Sequence, residues 1–113
     1  MLEYVCHGKH YKPHRILVAC GDGNAYANHL QWTTWTRHKA HAHGIWVQNN
    51  CKPDCAQGEF KHYPVRLRLS QVTKRGHDKI FGRVVGVFPH RAPPYPAYKH
   101  HRVVVMNHGK PAP

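Results

Sequence analysis

The chain has 113 residues, with 17 Lys and Arg against five Asp and Glu, a formal charge of +12 before any of its 13 histidines is protonated. That length suits one domain with a modest core, and three Trp, three Phe and six Tyr argue against disorder throughout. No apolar run approaches the roughly 20 residues of a membrane-crossing helix, and so few carboxylates leave no facing acid pair for glycoside hydrolysis and no acidic cage for two-metal phosphoryl transfer.

Residues 1–14 read as polar and His-rich, with a short strand near Tyr4-Val5-Cys6. They lack the apolar core and cleavage site of an export signal. As written, the chain reads as cytoplasmic; as a mature form, it reads as secreted. Arg15 to Cys20 is a buried strand ended by the turn Gly21-Asp22-Gly23-Asn24, whose glycines and Asn tolerate positive φ. The Thr- and Trp-rich stretch from Leu30 to Thr36 favours a strand. Trp32 and Trp35 cannot share a face of a regular strand, so a bulge is expected between them.

Ala40 to Gln48 reads as the next strand and Asn49 to Gly58 as a loop. Tyr63 to Leu69 is the clearest strand: Val65, Leu67 and Leu69 alternate with Arg66 and Arg68, giving one core face and one cationic face. A turn at Lys74-Arg75-Gly76-His77-Asp78 leads into a strand from Lys79 to Phe88, where Gly82 and Gly86 suggest bends. The expected fold is mainly β, a small single-domain sandwich or barrel of six or seven short strands. Residues 1–88 form its β domain. Residues 89–113 are a Pro-rich basic extension with a last strand at 103–106.

Cys6, Cys20, Cys51 and Cys55 allow three pairings if all are oxidised. Cys6–Cys20 would tie the N-terminal arm to a core strand, and Cys51–Cys55 would close a small loop bent by Pro53. A zinc site of four thiolates and free thiols are the alternatives, although the thirteen-residue gap between Cys6 and Cys20 is unlike the tight pairs of zinc ribbons. His41 and His43 would project from one strand face and are candidate ligands for a metal ion. The rival reading is a basic, solvated strand face. No cofactor motif is present.

Arg66, Arg68, Lys74, Arg75, Lys79 and Arg83 fall on two neighbouring strands and their turn, where they would form one cationic face for sequence-independent, salt-sensitive phosphate contacts. Arg91, Tyr95, Tyr98, Lys99 and Arg102 interleave cations with aromatics, as single-strand binders do. Tyr95 and Tyr98 would otherwise be anchors packing the tail onto the domain.

Several blocks in order resemble small secreted proteins of actinobacteria with no assigned activity. They are Ile16-Leu17-Val18-Ala19-Cys20-Gly21-Asp22-Gly23-Asn24, Leu30-Gln31-Trp32-Thr33-Thr34-Trp35, the small residues Ala40, Ala42 and Gly44, Asn50-Cys51-Lys52-Pro53-Asp54-Cys55-Ala56-Gln57-Gly58, and Tyr63-Pro64-Val65-Arg66-Leu67-Arg68-Leu69-Ser70. The resemblance spans about residues 4–72. It implies an exported domain with the disulfide pairing above, and it carries over no catalytic residue. Here Lys, Arg and His stand where such proteins have Ser and Thr, and no export signal precedes them. A cytosolic, phage-encoded offshoot re-surfaced for an acidic target would account for both departures.

Three functions are therefore expected in descending order. The first is a non-enzymatic module binding a polyanion, nucleic acid or an acidic protein. The second is an exported, disulfide-stabilised envelope or extracellular domain with a structural or host-interaction role. The third is a small His-dependent ribonuclease, which needs only imidazoles and a cation.

Overall fold

The structure, a computed structural model, describes residues 2–3, 5, 10–18 and 24–111. The expected strand around Tyr4 and Cys6, the Cys6–Cys20 bridge and most of the Gly21–Asn24 turn lie outside these residues. The protein is mainly β. Among the described residues, seven antiparallel strands form one sheet in sequence order: β1 (Ile16–Leu17), β2 (Ala25–Trp35), β3 (Ala40–Asn49), β4 (Phe60–Arg75), β5 (Asp78–Val87), β6 (Arg102–Asn107) and β7 (Lys110–Pro111). A 3-10 segment, Pro96–His101, packs near β6.

Alternation along β3 and β4 sets the two faces. Ala40, Ala42, Gly44 and Trp46 pair with Leu69, Leu67, Val65 and Tyr63 on the inner face, while His41 and His43 pair with Arg68 and Arg66 on the outer one. Leu67 and Leu69 are buried, and Arg66 and Arg68 are exposed. The sheet curls towards its inner face until the Trp35 ring on β2 meets Phe81 on β5 across two intervening strands, at 5.3 Å between centroids. This open, half-barrel curl lies nearer to the expected barrel than to the sandwich. Described residues near the N-terminus bond to both β2 and β5: the His14 carbonyl accepts the Leu30 N–H, the Pro13 carbonyl accepts Trp32 Nε1–H, and Leu2 bridges to β5 through the Lys79 carbonyl and the Phe81 N–H.

The bulge expected in β2 is present. Trp32 pairs with Ala42 and Trp35 with Ala40, with a register shift between Trp32 and Thr34. Both indoles thus turn inward and meet edge to face at 4.7 Å. Another irregularity sits at Gln71, whose φ is 52°. Ser70 and Arg83 pair on the outer face, yet at the next pair, Val72 and Phe81, the phenyl ring is fully buried against Trp35. The left-handed residue reverses the hairpin's faces at that point. Gly82 lies opposite, where a Cβ would stand 2.7 Å from the Gln71 carbonyl oxygen.

The expected strands were short in several places. β4 begins at Phe60 rather than Tyr63 and extends through Arg75. Residues 60–65 pair with β3 alone, so Pro64 occupies an edge stretch, where a missing N–H is tolerated. By contrast, β1 spans two residues of the expected Arg15–Cys20 strand. The β4–β5 hairpin turns through Gly76 and His77, with Gly76 at φ 64°, the positive value a two-residue loop needs at its first position. After Phe88 the chain rejoins the same sheet, and Val105 and Met106 are part of its core.

Candidate functional site

The outer face is a lattice whose rows cross the strands. One row runs Gln31, His43, Arg66, Val87, Arg102; the next runs Thr34, His41, Arg68, Val85 and Val104. Arg66 and Arg68 stand two residues apart, roughly 7 Å. Arg83 joins them through its pairing with Ser70, and Asn107 Oδ1 fixes its guanidinium by accepting from Nη1 at 3.1 Å. Between these side chains lies a depression of about 190 Å³ lined by Lys39, His41, Arg68, Ser70, Arg83, Val85 and Arg102, with Leu69 at its edge.

Among the described residues, no carboxylate reaches this face. Glu3 is buried beside His10, Glu59 is paired with Lys61 at 2.8 Å, and Asp54 sits in the 51–57 loop. Asp78 lies opposite Arg75 at the far hairpin end. Cations gathered on one face oppose folding by self-repulsion. Here Arg66, Arg68, Arg83 and Arg102 are gathered with no neutralising carboxylate among the described residues.

The hairpin cations do not belong to this group. Lys74 and Lys79 pair beyond the reversal at Gln71, and Lys79 lines a separate depression with Arg37, His38 and Val72. A single face running from Arg66 to Lys79 is therefore replaced by two cationic areas, because one positive-φ residue turns the later part of the hairpin over.

The C-terminal aromatics have the packing role. Tyr98 meets Trp46 and Phe88, and its hydroxyl donates to Gln48 Oε1, which also accepts from Trp46 Nε1–H. Burial pushes its phenol above the ordinary range. Tyr95 Oη donates to the Asn50 carbonyl at 3.3 Å. Arg91 lies 5.2 Å from the centroid of the Tyr63 ring and donates to the His62 carbonyl, and Lys99 is exposed in the 3-10 segment. Of the tail residues, Arg102 lines the depression.

Cys51 and Cys55 form a disulfide, so these two thiols are not zinc ligands. The loop they close is held from within. Buried Asn49 accepts from the Cys51 N–H and donates to the Cys55 carbonyl and to Asn24 Oδ1. His41 and His43 share the outer face as expected, and no group of three or more potential ligands gathers among the described residues.

Comparisons with protein-family models, curated proteins and solved structures found no match. The outer face itself carries the functional reading.

An aromatic contribution to that face went unread in the sequence. Phe60 and Tyr26 stand at its other end, 6.4 Å apart, with the Arg15 guanidinium 4.1 Å from the Tyr26 centroid. Phe60 lies in phase with Arg66 and Arg68, an extension of the same alternation that starting the strand at Tyr63 had hidden.

Proposed function

We propose that the protein is a non-catalytic polyanion-binding module, with nucleic acid its foremost partner. One observation carries the reading: Arg66, Arg68, Arg83 and Arg102, with Lys39, converge on one sheet face that holds no described carboxylate. A polyanion laid there replaces mutual repulsion with attraction and releases its own condensed counterions. Binding to a labelled oligonucleotide, measured by anisotropy between about 50 and 200 mM salt, is expected to weaken steeply and linearly in log–log form. Affinity that ignores salt, or no binding, refutes the proposal.

The Cys51–Cys55 disulfide favours a second reading, an exported domain, since such bridges persist in oxidising compartments. Thiol counting on protein from its native source tests it. Two free thiols at Cys51 and Cys55 in that material contradict export.

A further inference from the structure

We infer that the outer face is built for single-stranded nucleic acid, with bases stacking at the Phe60 end and phosphates held at the arginine end; this rests on the polyanion reading above. Along β4 the outward residues are Phe60, His62, Pro64, Arg66, Arg68 and Ser70, so one continuous strand carries a π-face at its start and guanidinium groups further on. Phe60 to Arg68 spans roughly 27 Å at the usual strand rise. That is a track for several nucleotides, within the about 4–16 that one OB-type fold occupies.

Phe60 is 45% exposed, an unusual position for a phenyl ring in a domain that buries Phe81 and Phe88 almost completely. Its neighbour Tyr26 has Arg15 over its ring, which adds a cation at the same end. Glu59, next in sequence, is already held by Lys61. On β4 the residues between Phe60 and Arg66 on this face are His62 and Pro64, and the facing residues of β3, from Asn49 to His41, include no carboxylate to repel a phosphate. A duplex hides its base faces and offers nothing for Phe60 to stack on, whereas an unpaired strand presents a π-face at each nucleotide. An acidic protein surface would use the arginines and leave the phenyl ring idle.

The test uses the whole chain and end-labelled RNA and DNA single strands of roughly 12 nucleotides, matching duplexes and a heparin fragment. Electrostatics alone favours the duplex, whose salt slope per contact is steeper, about 0.9 against 0.7. The inference expects single strands to bind more tightly than duplexes of equal length. It expects Phe60→Ala and Phe60→Leu to weaken single-strand binding by about fivefold or more, with the salt slope unchanged, and Phe60→Trp to restore it. The leucine variant keeps the apolar bulk and lacks the π-face, so a packing defect and lost stacking separate. Equal affinity for duplex, or wild-type binding by the alanine and leucine variants, overturns the inference and leaves the polyanion reading standing. Failure of every polyanion to bind in a salt-sensitive way removes both. RNA and DNA are read as separate arms, and a preference between them identifies the natural strand.

Discussion

Gly44→Ala tests how closely the curled sheet is packed where β2 shifts register between Asn28 and Gln31. Gly44 pairs with Val65 and faces the β2 segment between Asn28 and Gln31, where the register shifts and His29 takes φ 52°. A Cβ at Gly44 would stand 2.6 Å from the Asn28 carbonyl oxygen, 2.9 Å from Leu30 Cδ2 and 3.1 Å from the His29 carbonyl oxygen. Two of these are backbone atoms and the third belongs to a buried leucine, so none can swing aside freely. Overpacking of this kind costs about 1–3 kcal/mol. Alanine's narrower unfolded ensemble returns about 0.4–1 kcal/mol. The midpoints leave a net loss of about 1.3 kcal/mol. Gly86 is the internal control, because an added Cβ meets side chains alone, the nearest being Val103 Cγ1 at 3.2 Å. Gly86→Ala should stay within about 0.5 kcal/mol of wild type. Urea unfolding followed by the fluorescence of the three tryptophans reads both variants. If Gly44→Ala unfolds at or above the wild-type midpoint, or Gly86→Ala falls further, the packing argument is wrong.

Three further outcomes are expected. Replacing Arg66 and Arg68 together by Ala should reduce the single-strand salt slope by about 1.4, two contacts at about 0.7 each, while Lys74→Ala with Lys79→Ala leaves it unchanged; salt-dependent anisotropy separates the pairs. Burial raises the Glu3 carboxyl above its ordinary 4.5, against the opposing hydrogen bond from Val5 N–H and the nearby His10. A raised folded value means that stability is fullest below the unfolded value and lost as pH climbs through the folded one. Wild type should therefore lose stability relative to Glu3→Gln as pH rises from about 4.5 towards neutrality, seen in thermal melts across pH. Asn49→Ala removes the partner of the Cys51 N–H and of the Cys55 carbonyl and should cost about 1–3 kcal/mol in urea unfolding.

Much of the sheet is legible in the sequence because alternation and turn chemistry are local. Val65, Leu67 and Leu69 against Arg66 and Arg68 fix the faces of β4, and the spacing of Trp32 and Trp35 requires the bulge that lets both rings turn inward. Gly76 marks its hairpin by the φ it must adopt. What escaped is set by tertiary packing. Nothing in the residue type of Gln71 announces a left-handed backbone, yet that residue turns Lys74 and Lys79 away from Arg66, Arg68 and Arg83. Tyr95 and Tyr98 carry the same composition signal whether they stack bases or fill the space beside Trp46, and the curled sheet decides for packing. Phe60 was readable in principle by running the alternation upstream through Pro64, a residue that commonly marks a strand's start.

The most direct test maps the interface residue by residue. In a ¹⁵N NMR titration with a short single-stranded oligonucleotide, the side-chain Nε–H signals of Arg66, Arg68, Arg83 and Arg102 and the amides of the central parts of β3 and β4 should move together, while Lys74, Gly76 and Lys79 at the hairpin tip stay in place. Shifts spread evenly around the domain, or gathered at the tip instead, would contradict a binding surface on the outer face of the sheet.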